Sequence, residues 1–138
     1  MKETKLKFPS VEWVKVFKDE INKNEAYAEA AKHWEGDFLF IITPDGKLEN
    51  EIVCYLDVWH GKCREAYIVP DRDAKKTEFT YEASYSNWKK LIKGEIDPIK
   101  GILTRKFKLK GSMATIMRYS KAATELVKTA SRVPTEFI

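Results

Sequence analysis

The chain has 138 residues, 43% apolar and 33% charged, with 25 basic against 21 acidic side chains and a net charge of +4. That length can bury a core without disulfides or metals, and that balance excludes a disordered chain. The two signs of charge are mixed along most of the sequence, which argues against a dedicated nucleic-acid binder, and no run approaches the roughly 18 apolar residues of a membrane span.

The opening segment, MKETKLKFPS, has no apolar h-region. No secretory signal is therefore expected, and Cys54 and Cys63 are read as reduced thiols in a cytoplasmic protein. No repeat, low-complexity stretch or linker divides the chain, so residues 1–138 read as a single domain.

Ser10, after Pro9, is a good N-cap, and Val11, Val14, Phe17 and Ile21 follow at helical spacing. Asn24 caps a second predicted helix that runs to about Trp34 and ends at Gly36. The period then changes. Phe38 to Thr43 reads as a strand that is apolar throughout, and Pro44-Asp45-Gly46-Lys47 is turn chemistry. Ile52 to Trp59 is the next strand, and His60-Gly61 reverses the chain into Cys63 to Val69. After a loop at Pro70-Asp71-Arg72-Asp73, Thr77 to Ala83 alternates as a half-buried strand. Ser84 caps a helix closed by Gly94, and Asp97-Pro98 starts another. Phe107 to Lys110 is a short fifth strand. Gly111-Ser112 leads into one last helix, with Met113, Ile116, Met117, Ser120, Ala123 and Val127 along one side.

Short turns join the first three strands, which predicts an antiparallel meander. Helices separate the fourth and fifth. The expected fold is α+β: a five-stranded mixed, mostly antiparallel sheet with helices packed mainly on one face. With a hairpin centred on His60-Gly61, Cys63 falls opposite Val58. It then lies about 13 Å of strand away from Cys54, beyond disulfide reach.

The segment from Tyr85 to Tyr119 resembles the second half of a sterol carrier protein 2 domain. The resemblance rests on Leu91, Gly94, Asp97-Pro98, Phe107-Lys108-Leu109-Lys110-Gly111 and Met113. In the first half, Gly36-Asp37-Phe38, Leu56-Asp57-Val58 and His60-Gly61-Lys62 fit the same layout, so the resemblance covers about residues 10 to 130. Arg105 stands where the family pattern often has glycine, and the terminal Thr-Glu-Phe-Ile is not a peroxisomal Ser-Lys-Leu address. The resemblance implies a shell of sheet and helices around an apolar tunnel. It further implies non-enzymatic binding and intracellular transfer of a lipid-like ligand (fatty acid, fatty acyl-CoA, sterol or isoprenoid), with no cofactor. The four Trp and six Tyr are expected to narrow such a tunnel.

Strand alternation picks the faces that would line it. Ile52, Cys54, Leu56 and Val58 point inward from the second strand, Phe79 and Tyr81 from the fourth, and Phe107 and Leu109 from the fifth. Met113, Ile116, Met117 and Ser120 join them from the last helix. These twelve are the candidate ligand-binding residues, although the same periodicity is also what an ordinary packed core shows. The face of the first strand cannot be chosen, because both of its faces are apolar.

Arg105, Lys106, Lys108 and Lys110, with Lys100 and Arg118, are the densest basic cluster. They are read first as an edge strand guarded by outward lysines, since the lysines alternate with Phe107 and Leu109, and second as a cluster suited to anionic headgroups or a CoA phosphate. His60-Gly61-Lys62-Cys63 is read as a hairpin turn and not a metal site. No nucleophile elbow, Walker loop or dinucleotide fingerprint occurs. The alternative function is an accessory or structural subunit docked on an acyl-metabolism enzyme, with a filled core and no free ligand; a partly filled cavity and an exposed apolar patch at Val133–Ile138 would favour it, and a lipid-metabolism enzyme is the partner expected besides the lipid. No nucleic acid and at most transient membrane-surface contact are expected.

Overall fold

Helix starts are set by side chains that accept from the free N–H groups of the first turn. In the computed structural model, which describes residues 4–138, Ser10 accepts from the Trp13 N–H at 3.1 Å and starts α1 (Val11–Lys23). Asn24 accepts from the Tyr27 N–H at 3.1 Å and starts α2 (Glu25–Ala30). Ser84 caps α3 (Tyr85–Ile92). Asp97 accepts from Ile99 and Lys100 and, with Pro98 in the first turn, starts α4 (Pro98–Leu103). Ser112 caps α5 (Met113–Arg118).

The strands are β1 (Leu6–Phe8), β2 (Glu35–Thr43), β3 (Ile52–Trp59), β4 (Lys62–Val69), β5 (Phe79–Ser84), β6 (Lys108–Lys110) and β7 (Thr135–Phe137). The main sheet has the order β4-β3-β2-β5-β6. Only β2 and β5 pair in parallel, so the sheet is five-stranded, mixed and mostly antiparallel, with helices on it. Trp59 pairs with Lys62, which leaves His60 and Gly61 as a two-residue turn with φ of 49° and 79°. A Cβ on Gly61 would sit 2.6 Å from the Ala28 carbonyl oxygen, so the hairpin can press against α2 only without a side chain there. Val58 faces Cys63, and both cysteines are free and buried.

The edge strand β4 is covered by α1. Asn22 donates to the Cys63 carbonyl at 2.9 Å and accepts from its N–H at 2.8 Å, which occupies backbone groups that an edge would otherwise present. β2 is apolar on both sides because both sides are buried. Phe38, Phe40 and Ile42 face the helices. Leu39 and Ile41 face away and join Val53, Tyr55 and Val69 in a second, smaller apolar cluster. No helix among the described residues is long and apolar enough to cross a membrane.

Three sequence expectations are corrected. α2 stops at Ala30, not near Trp34, and Gly36 lies within β2, paired with Val58. The cause is Trp34, whose ring leaves the helical phase to pack on Phe38, Phe79 and Tyr119. The last helix is two helices: α5 ends at Tyr119 (φ −105°, ψ 29°), and α6 (Ser120–Arg132) restarts in a new phase. Finally, Val133–Ile138 is not an exposed docking patch. Val133 is buried, β7 pairs in parallel with β1, and the Tyr85 hydroxyl donates to the Ile138 carbonyl at 2.9 Å.

Candidate functional site

The register of the sheet lines up one apolar surface. Phe40 stands between Cys54 on β3 and Tyr81 on β5, while Ile42 pairs with Ile52, Cys54 with Ile68 and Tyr81 with Leu109. Opposite this surface run α1, α3, α4, α5 and α6. They approach the sheet without closing on it everywhere and leave a cavity of about 120 Å³. Its helical wall includes Phe17, Trp88, Ile99, Ile116, Ala123 and Leu126.

The far wall is held in place by a buried polar peg. The Asn24 amide donates to the Thr129 hydroxyl at 2.8 Å, and that hydroxyl donates to the Glu125 carbonyl at 2.9 Å. Both side chains are buried, so α6 is pinned to the start of α2 where loss of either partner leaves an unpaired group. One end is closed by the termini: Phe8 of β1 packs on Trp13 at 4.8 Å, and the Trp13 indole donates to Thr135 Oγ1 at 2.9 Å.

The chemistry of the wall is uniform. Among the described residues, no Asp, Glu, Lys, Arg or His lines the cavity. The polar ends of several lining aromatics are turned away to backbone partners. Trp34 donates to the Gly36 carbonyl at 2.9 Å, Trp88 to Ile41 at 2.9 Å, and the Tyr81 hydroxyl to Pro98 at 2.8 Å. What remains facing the space is almost entirely ring faces and methyl groups. Burial pushes the Cys54 thiol up to about 12, so at neutral pH it is an uncharged, weakly polar wall group and not a nucleophile. Such a site can enclose an apolar chain. Among the described residues, no group of three or more His, Cys, Asp or Glu is placed to hold a metal ion. His60 is an exposed turn residue, 2.6 Å from Glu35.

Of the twelve candidates from the sequence, Ile52, Cys54, Tyr81, Leu109 and Ile116 line this cavity. Leu56, Val58, Phe79 and Phe107 belong to the same core cluster but are packed solid beyond the cavity. Phe79 fills the space beside Trp34 and Phe38, and Phe107 stacks on Tyr81 at 4.5 Å. Alternation identifies a face; it does not say where along the face the helices leave room. Met113, Met117 and Ser120 do not line the cavity: α5 turns Ile116 inward and leaves Met113 and Met117 to its flanks, and the break at Tyr119 starts α6 in a new phase with Ser120 outside. Met113 is half-buried, and Met117 and Ser120 are exposed.

The sequence reading missed Phe38, Phe40 and Ile42, and the helical contributions of Trp13, Phe17 and Trp88. The hairpin register held the first signal. With Ile52 inward and paired to Ile42, Phe40 and Phe38 must be inward too. The Pro44–Glu51 connection obscured it, since Asp45 and Leu48 form their own bridge within it and the register cannot be counted through.

No curated protein sequence matches the chain. The model of the SCP-2 sterol transfer family matches residues 14–124. A crystal structure of sterol carrier protein 2 is 32% identical, with a TM-score of 0.83 over 90% of this chain and 97% of that one. The solution structure of a conserved hypothetical protein from Thermus thermophilus, described as possibly a sterol carrier protein, is also 32% identical, with a TM-score of 0.83 over 92% of this chain and 90% of that one. Palmitated SCP2L2 from Aedes aegypti, at 11% identity, has a TM-score of 0.58 over 83% of this chain and 94% of that one, a likeness of fold alone. The matched residues include most of the sheet and helices that wall the apolar cavity, and the chain belongs to the sterol carrier protein 2 family of lipid-binding and lipid-transfer domains.

Proposed function

We propose that the chain binds one flexible, single-chain lipid tail, fatty acyl or isoprenoid, between sheet and helices and transfers it without chemical change. The observation that carries this reading is a cavity walled by apolar atoms, with the indole and phenol donors of Trp34, Trp88 and Tyr81 bonded elsewhere. At about 120 Å³ the cavity is below the roughly 300–1,000 Å³ usual for drug-sized ligands. A chain that threads past Phe40 and Trp88 as side chains adjust suits it better than a rigid, fused-ring sterol. Contact with Ile52, Cys54, Tyr81, Leu109 and Ile116 is part of this proposal, with Phe40 and Ala123 added. The solution structure of a protein of the same fold, palmitated SCP2L2 from Aedes aegypti, supports the choice of a single-chain lipid.

The test is organic extraction of natively purified protein with mass spectrometry, beside titration of a fluorescent fatty acyl probe. Recovery of a single-chain lipid near one per protein, with saturable binding at micromolar concentration or below, is expected. Ala123→Trp, which fills the space from α6, should weaken the probe by about tenfold or more, a change of ~1.4 kcal/mol, with the circular dichroism unchanged. An empty extract and no probe saturation would replace this reading with a filled-core accessory domain.

A further inference from the structure

Most polar groups of the cavity wall are occupied within the protein. The indoles of Trp34 and Trp88 and the phenol of Tyr81 are bonded to backbone carbonyls, the Trp13 indole is bonded to Thr135, and the Cys54 thiol lies 3.7 Å from the Tyr55 carbonyl. Tyr119 is half-buried and so is not enclosed. Tyr27 is the exception. It lines the cavity and is only 2% exposed, yet among the described residues its hydroxyl makes no hydrogen bond, although its backbone N–H does. Every sealed side-chain oxygen or nitrogen among those residues has a partner. The Tyr27 oxygen therefore borders open space, and the space that Tyr27 lines is the cavity.

A packed ring alone would not need that oxygen. The same wall uses Phe8, Phe17, Phe38 and Phe40 where a ring suffices, and a buried hydroxyl without a partner is destabilising. The position is also held firmly. The Tyr27 N–H donates to the Asn24 side chain at 3.1 Å, Asn24 is bonded to Thr129 on α6, and Gly61 of the β3–β4 hairpin lies against the next residue, Ala28. Burial, with Cys63 nearby, pushes the phenol well above its ordinary value, so it remains a proton donor at neutral pH. The complement of a fixed, neutral donor is an oxygen acceptor. Among the described residues no Lys, Arg or His lines the cavity, so an enclosed carboxylate or phosphate would lack a counter-charge.

We propose that Tyr27 is the polar anchor of the cavity, and that the ligand is a long-chain lipid whose enclosed part carries an uncharged oxygen, a carbonyl or a hydroxyl, that accepts from the Tyr27 hydroxyl. This inference rests on the lipid-binding reading above and narrows it. An ionised head, where a ligand has one, stays outside the cavity, and a pure hydrocarbon leaves the phenol unpaired.

The test compares dodecyl methyl ketone with tetradecane, which has the same carbon count and no oxygen, as competitors of the acyl probe on the parent and on Tyr27→Phe. The ketone-to-alkane affinity ratio should be about fivefold higher for the parent than for the variant. The infrared carbonyl stretch of the bound ketone should lie below its value in alkane solvent for the parent, and at that value for the variant. Without ligand, Tyr27→Phe should unfold at the same urea concentration as the parent or a higher one, since no bond is lost. Tyr81→Phe, which loses its bond to the Pro98 carbonyl, should unfold at a lower one. Equal ratios in the two proteins, an unshifted carbonyl stretch in the parent, or a Tyr27→Phe midpoint lowered as far as that of Tyr81→Phe overturns the proposal. The parent's carbonyl stretch decides it even where the variant fails to fold. Probe binding that neither the ketone nor the alkane displaces also overturns it and leaves the lipid reading standing. A parent that binds no probe refutes that reading and this inference with it.

Discussion

On one face of β2, Leu39 and Ile41 are buried with Val53, Tyr55 and Val69 in a small, filled cluster; on the other, Phe38 and Phe40 stay half-buried around a cavity. The two faces belong to the same strand and are equally apolar. What differs is the cover. The outer face is covered by the loop of residues 70–78, which turns at Asp71–Ala74 and lays individual side chains on the sheet. Lys75 lies over the Tyr55 ring at 4.2 Å and donates to the Tyr67 hydroxyl at 2.8 Å. Asp37 accepts from both the Tyr55 hydroxyl and the Glu78 N–H. The inner face is covered by helices, which are cylinders about 10 Å across and touch a sheet along lines. Several are only six residues long, and bulky rings hold them off the strands. Apolar content thus decides that a face is buried, while the shape of its cover decides whether it is filled.

Truncations should separate the two faces most sharply. Leu39→Ala, in the filled cluster, should lose about 3 kcal/mol in urea unfolding and leave acyl-probe affinity unchanged. Ile99→Ala, half-buried on the cavity wall, should lose about 1 kcal/mol, because less packing is removed there, and should alter probe affinity. Equal stability losses would mean that the inner face is packed as tightly as the outer one.

An effect of intermediate size comes from pH. Burial pushes both Cys54 and Cys63 up to about 12. Their folded-state values are raised, so the stability they confer is complete below the unfolded thiol value of about 9 and is lost as pH climbs toward 12. Denaturant midpoints should be flat from pH 7 to 8.5 and then fall, by roughly 1 kcal/mol per pH unit for each thiol. Burial raises Tyr27 and Tyr81 as well, which steepens the fall at the alkaline end. All four groups belong to the core on the helical side, so a thiol reagent at pH 8 should label slowly, and more slowly still with lipid bound. Rapid labelling at pH 8 would show the inner face opening on its own.

The sequence made the order of elements legible because most boundaries carry local chemistry: Ser10, Asn24, Ser84, Asp97 and Ser112 all cap where expected. What it hid was non-local. β1 and β7 are three residues each and pair across almost the whole chain, too short to show a period. The break at Tyr119 is set by Trp34 packing against its ring at 5.1 Å, a contact 85 positions away. Cavity position was illegible for the same reason. Ile52 and Leu56 share one strand and one face, and only the placement of helices above them makes one a cavity wall and the other solid core.

The smallest expected effect tests whether the two faces are independent. Arg72, in the outer cover, reaches across β2 to both neighbouring strands. It donates to Glu51 beside β3 at 2.6 Å and to Glu82 on β5 at 3.1 Å. Both carboxylates hold the guanidinium firmly charged. The group is 42% exposed, so Arg72→Ala should cost no more than about 1 kcal/mol globally. Locally it should do more, since Arg72 and Lys75 are the side chains that tie the middle of the 70–78 segment to the sheet, and backbone amides there should exchange faster while those of β2 stay protected. Acyl-probe affinity should not change, because the cavity lining includes none of residues 70–78. A change in affinity would mean that loosening the outer cover shifts β2 itself. Phe38 and Phe40 would then follow Leu39 and Ile41, and the filled face would be setting the width of the open one.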